Sequence, residues 1–201
     1  MIVTAVIPVD KRKCKVFLGE DFAFVLYKSE AARFHIEEGS DLSEETYARI
    51  KEEILLKRVR DRALYLLQSQ GRTQAEMIKK LQSDGYPDDV TRDVMTFLSE
   101  YHFVDDSAYT ENYIHVNKGR KSPRQIAYEL QQKGVDKSRI SQMMEENPID
   151  EEETVRALLK KKTGGQIPQD WKEKQKLAAF LGRKGFSFDV IQRVLRESTD
   201  D

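Results

Sequence analysis

Apolar and polar residues alternate over the first 27 positions, and after Ser43 the apolar ones recur at intervals of three and four almost to the end. The first pattern predicts strands. Ile2 to Val9 is rich in β-branched residues, and Lys13 to Leu18 places Cys14, Val16 and Leu18 on one side with Lys13 and Lys15 on the other. Gly19-Glu20-Asp21 reads as a turn and Phe22 to Tyr27 as a third strand, which makes an antiparallel meander. Three strands need something to cover one face. A short helix over 29–37, with Ala32, Phe34 and Ile36 as contacts, is expected to supply it.

The second pattern predicts helices. Ser43 is placed as an N-cap, with Leu42 and Tyr47 as a hydrophobic staple. Nothing breaks the segment before Gly71, so an unbroken helix there would run about 40 Å. Its polar front around Lys51 reads as a linker leading into the first packed helix, which carries Leu64 and Leu67.

A repeat follows. Each L-x-x-x-G (Leu81–Gly85, Leu130–Gly134, Leu181–Gly185) is preceded by an apolar pair: Met77-Ile78, Ile126-Ala127 and Leu177-Ala178. The pair and the leucine share one helix face. An apolar residue comes after each glycine (Tyr86, Val135, Phe186), and then another amphipathic stretch. The glycines lie about fifty residues apart, a period typical of stacked helical units. Each unit alone would expose its apolar stripe, so neighbours should lean on one another. The expected fold is mainly α: three tandem three-helix repeats in an elongated array, behind a small N-terminal β-meander with a short helix. The boundaries fall at 1–42 for the β-rich region, 43–104, 105–149 and 150–197 for the repeats, and 198–201 for a frayed tail.

The central stretch from Phe103 to Val135 carries the clearest local signals. Asp106 is read as the cap of a helix with Tyr109, Tyr113 and Val116 on one face. Ser122 caps the next helix, with Pro123 at the first helical position and Gln125 at the reciprocal capping-box position. Gly134 closes that helix, with Val135 as the apolar residue beyond the cap.

Composition narrows the chemistry. The chain has 201 residues and a formal net charge of −1, so any nucleic-acid surface must be a local patch. Its single cysteine excludes an internal disulfide and suits a reducing compartment. Nothing resembles a signal peptide or a membrane span, and a cytoplasmic protein with no membrane partner is expected. Neither G-x-x-x-x-G-K-[ST] nor G-x-G-x-x-G occurs, G-x-S-x-G is missing, and His35, His102 and His115 are dispersed. No catalytic residue, metal site or cofactor is expected. Asp105-Asp106 is read as a loop residue plus a helix cap.

Charge on helix ends remains. K-G-R-K-S-P-R carries Lys118, Arg120, Lys121 and Arg124 with no acid among them, and such a run repels itself unless something answers it. Lys133 and Lys184 precede their unit glycines, where the first unit has Asp84, and Lys160, Lys161 and Lys162 end a helix of the third. Basic residues there can offset the helix dipole or meet phosphates and carboxylates. The aromatic residues Phe103, Tyr109, Tyr113 and Phe186 are assigned to packing rather than base stacking.

The runs F-V-D-D-x-x-Y and K-G-R-K-S-P-R-Q-I-x-x-E-L-x-x-K-G-V, with R-x-x-A-E-M-x-x-K-L-x-x-x-G-Y at Arg72 to Tyr86, resemble the RecX regulatory proteins over roughly residues 58–196. The strand-rich front with G-E-D-F-A-F is similar to the longer, Firmicute-type members. The resemblance implies a monomeric, non-enzymatic regulator of DNA repair and homologous recombination. Such proteins bind the RecA recombinase on single-stranded DNA and damp strand exchange, ATP hydrolysis and the co-protease action of the SOS response. They also bind DNA directly. Under it, Lys118, Arg120, Lys121, Arg124, Lys133, Lys162 and Lys184 become the candidate contacts to RecA or to single-stranded or duplex DNA. A double reversal, Lys121→Glu with Arg124→Glu, is expected to spare the fold and weaken inhibition. The alternatives are a helix-turn-helix-like DNA-binding protein and a purely protein-binding helical solenoid.

Overall fold

The computed structural model describes residues 1–165 and 168–197; the expected frayed tail at 198–201 lies outside the described residues. Contacts divide the chain into two units, Met1–Asp105 and Asp106–Asp201.

The first unit opens with β1 (Val3–Pro8), β2 (Lys13–Leu18) and β3 (Asp21–Tyr27), antiparallel in that order. The alternation does what it predicts: Cys14, Val16, Phe24 and Leu26 are buried while Lys13 and Lys15 face solvent. The covering helix α1 (Lys28–Arg33) is shorter than expected, and its phase differs: Ala31 is buried and Ala32 exposed. The reason is the stop. His35 takes a left-handed conformation at φ 52°, so Ile36 N–H turns back onto the Ala31 carbonyl at 2.9 Å and its side chain is buried. His102 does the same after a later helix, at φ 56°. Two of the three histidines are therefore helix stops.

The long helix is continuous but not uniform. α2 (Glu44–Ile50) passes through a π-helical turn at Lys51–Leu55 into α3 (Leu56–Ser69). Ser43 caps it, accepting the Thr46 N–H at 3.1 Å. The wider turn keeps Ile50, Ile54, Leu55 and Val59 all buried. α4 (Gln74–Ser83) and α5 (Asp88–Glu100) complete the unit. The front of the long helix is not a linker. Lys51 bridges Asp89 and Asp93 of α5, each at 2.8 Å, and the Tyr47 hydroxyl donates to Asp89 at 2.9 Å. Burial and that carboxylate push the Tyr47 hydroxyl pKa well up. Val59, Ala63 and Leu66 hold the middle of α3, with Leu64 and Leu67 at the margin. A single apolar cluster runs from Val3 to Val104, so sheet and first helices share one core. Arg58 ties them further: it donates to the Val25 carbonyl at 3.0 Å and to Glu30 at 2.8 Å, and lies 4.9 Å from the Tyr27 ring.

The second unit holds α6 (Asp106–Asn117), α7 (Pro123–Gln132), α8 (Lys137–Glu146), α9 (Glu151–Thr163), α10 (Trp171–Arg183) and α11 (Phe188–Glu197). Asp106 is the first helical residue of α6, so the flanking cap position falls to Asp105. The buried face of α6 is Thr110 and Ile114; Tyr109 and Tyr113 stack at its edge with centroids 6.1 Å apart, and Val116 is exposed. Two apolar clusters lie here, one around Ile126, Leu130 and Ile140, the other around Leu159, Leu181 and Val194.

The three repeat glycines occupy one local geometry. Gly85, Gly134 and Gly185 have φ of 84°, 82° and 84°. The next N–H donates to the carbonyl of the repeat leucine at 3.2, 3.1 and 3.3 Å, and Leu81, Leu130 and Leu181 are fully buried. A side chain at that φ would be strained, which is why glycine recurs there. Phe186 and Val135 are buried behind their glycines, but Phe103 is half exposed against Phe97.

Candidate partner-binding face of the second unit

The basic run ends at the start of α7. Ser122 Oγ accepts the Gln125 N–H at 3.1 Å, as a cap should, and is fully buried because the same hydroxyl donates to the Lys184 carbonyl at 2.9 Å. The loop before α7 and the α10–α11 turn thus meet, 62 residues apart in sequence. Gly185 has no room there: a Cβ would come within 2.7 Å of Ser122 Oγ. The reciprocal arm of the capping box does not form. Gln125 Nε2 instead donates to Glu129 at 3.2 Å, and its Oε1 is buried without a hydrogen-bond partner.

The basic residues fall into different environments. Lys121 is answered within its own repeat: its Nζ lies 2.6 Å from Glu129 Oε2 and 3.3 Å from the Tyr113 hydroxyl, which itself donates to Glu129 at 2.5 Å. Burial disfavours the Lys121 charge, but Glu129 and Tyr113 outweigh it and raise the pKa; the same contacts outweigh burial at Glu129 and lower its pKa. A Lys121→Glu change would set two carboxylates together, so it tests folding as much as binding. Lys118 lines a cleft of about 340 Å³ with Asp150 and Glu153 at the start of α9. Lys133 lies 5.6 and 5.9 Å from the Tyr109 and Tyr113 rings. Lys162 and Lys184 lie over the Phe180 ring at 4.4 and 5.4 Å. The lysine before the glycine therefore covers an aromatic ring in both repeats, with its stem available for packing. Arg120 and Arg124 are exposed and make no ion pair among the described residues. The positive end of α7 adds to their field.

One face escapes the sequence reading. Arg124, Tyr128 and Gln131 follow each other on α7 at helical spacing and line a groove of about 330 Å³ with Lys137 of α8, over a floor of Ala127 and Ile140. Tyr128 is 61% exposed. The signal was present as an i, i+4, i+7 series opposite the Ile126–Leu130 face, but attention to apolar periodicity passes over it.

Cys14 is buried, with its thiol directed at the Leu26 carbonyl at 3.7 Å, and burial raises its pKa. Among the described residues no cluster of His, Cys, Asp or Glu is arranged to hold a metal, and no helix is long and apolar enough to cross a membrane.

Models of the first, second and third three-helix domains of RecX match residues 60–98, 105–144 and 150–195. Regulatory protein RecX of Cronobacter sakazakii is 30% identical over 69% of this chain and 91% of its own length. That of Caldanaerobacter subterraneus is 28% identical over 97% of this chain and 98% of its own. A crystal structure of regulatory protein RecX superposes with TM-score 0.62 at 25% identity, covering 96% of this chain and 98% of that one.

Proposed function

The chain belongs to the RecX family, and from that premise we propose that it is a monomeric, cytoplasmic, non-enzymatic regulator that binds the RecA filament on single-stranded DNA and damps its activities. The resemblance supplies the partner. The chain supplies the surface: Arg120 and Arg124, at the positive end of α7, are exposed cations that make no ion pair among the described residues. Lys184 enters the same neighbourhood through the Ser122 contact. Such a face suits DNA phosphates or the recombinase's carboxylates. We take 43–104, 105–149 and 150–197 as the three repeats that present it, with 1–42 fastened to the first.

The carrying observation is the difference between Arg120 and Arg124 on one hand and the internally paired Lys121 on the other. It selects the test. Arg120→Glu with Arg124→Glu is expected to keep the helical signal and melting temperature, and to weaken co-sedimentation with RecA filaments and inhibition of strand exchange by about tenfold. Inhibition equal to wild type would remove this face from the reading. A purely protein-binding solenoid predicts no affinity for DNA alone at low salt, whereas phosphate contacts predict affinity that falls steeply as salt rises.

A further inference from the structure

We propose that the groove between α7 and α8 is a single-strand subsite in which one unpaired base stacks on Tyr128 and its flanking phosphates meet Arg124 and Lys137. The inference deepens the filament reading, since it names what a DNA-facing second unit would hold.

No carboxylate lines the groove. The acids next in sequence to Tyr128 and Lys137 are engaged: Glu129 by Lys121 and Tyr113, and Asp136 by the Ser138 N–H at 2.8 Å, as the cap of α8. Arg124, in the first turn of α7, and Lys137, which opens α8, make no ion pair among the described residues. Tyr128 follows Arg124 by one helical turn, so its ring and that guanidinium share one face of α7.

Tyr128 is the second observation. This side chain is mostly in water, and besides the polar residues it shares the groove with Ala127 and Ile140. An exposed aromatic ring sharing a groove with two cations and a small apolar patch fits a nucleobase with its phosphates. An amphipathic acidic helix would want a deeper apolar slot than alanine and one isoleucine provide. The base must be unpaired, because a duplex keeps its base faces stacked on one another. Gln131 at the groove edge can donate to or accept from a base edge, which fits sequence tolerance better than strict readout.

The test uses the full chain and a fluorescent oligothymidylate, titrated at several salt concentrations beside a duplex of equal length. Tyr128→Leu is expected to lower single-strand affinity about tenfold with an unchanged salt slope, while Tyr128→Phe stays near wild type. Lys137→Gln is expected to lower affinity and reduce the slope by about one. Duplex affinity should be nearly untouched by Tyr128→Leu. The exposure of Tyr128 lets the fold survive, which circular dichroism checks. Wild-type affinity in Tyr128→Leu overturns the subsite, as does an equal loss for duplex, or displacement of the wild-type probe by a glutamate-rich peptide that Tyr128→Leu no longer binds. None of these results touches the filament reading, which stands or falls on Arg120 and Arg124 in co-sedimentation.

Discussion

The first unit and the second solve the same packing problem in different ways. In the first, the sheet, the long helix and α4–α5 bury one continuous cluster, and charged residues close its seams: Arg58 to Glu30, Lys51 to Asp89 and Asp93, Arg62 to Asp84. In the second, two smaller clusters are joined by a hydroxyl on a carbonyl and by the glycine that makes room for it. The position before the repeat glycine shows the contrast in miniature. Asp84 faces Arg62 at 2.8 Å and Lys80 at 2.6 Å and is neutralised on its own unit. Lys133 and Lys184 lie over aromatic rings instead, at 5.6 Å from Tyr109 and 5.4 Å from Phe180. One repeat position thus carries an ion-paired acid in the first unit and a ring-covering lysine in the second.

The largest effects should come from breaking the cores. Leu81→Ala and Leu130→Ala each remove a fully buried leucine and should cost about 2–5 kcal/mol. They should differ in reach. Hydrogen exchange is expected to show the strands losing protection with the helices in Leu81→Ala, because they share one cluster, whereas Leu130→Ala should open the α6–α8 helices and leave the first unit protected. Equal loss in both units from Leu130→Ala would end the comparison.

The joint in the second unit comes next. Gly134→Ala and Gly185→Ala share the left-handed penalty of about 1–2 kcal/mol. Gly185→Ala also drives a Cβ into Ser122 Oγ and should uncap α7, adding about 1 kcal/mol. Urea titration should therefore rank it below Gly134→Ala in stability, and Ser122→Ala should remove much of the difference.

The smallest effect is electrostatic. Asp84→Lys imitates the other repeats but would gather three cations in place of two ion pairs, costing on the order of 1–2 kcal/mol. The pH dependence has a definite sign. Asp84 and Asp89 have folded pKa values below their ordinary 3.8, burial being outweighed by Lys80 and Arg62 at one and by Lys51 and Tyr47 at the other. Their stabilisation is present above the unfolded carboxylate value and lost as pH falls through the lowered ones. Melting temperature should drop on acidification below about pH 4, and less steeply in Asp84→Asn.

Periodicity alone determined the strands, the order of the helices, the three glycine stops and the Ser43 and Ser122 caps, because each depends on residues within a few positions of one another. It misplaced two helix faces. In the covering helix Phe34 and Ile36 are buried as expected but Ala31 takes the place of Ala32, and Val116, placed on one face with Tyr109 and Tyr113, is exposed. Local sequence also named the basic run as a unit. Only the tertiary structure sorted it, because the deciding partners are distant or on other helices: Glu129 for Lys121, the Phe180 ring for Lys162 and Lys184. A charge's availability depends on what the fold brings to face it, and a linear pattern carries no record of that.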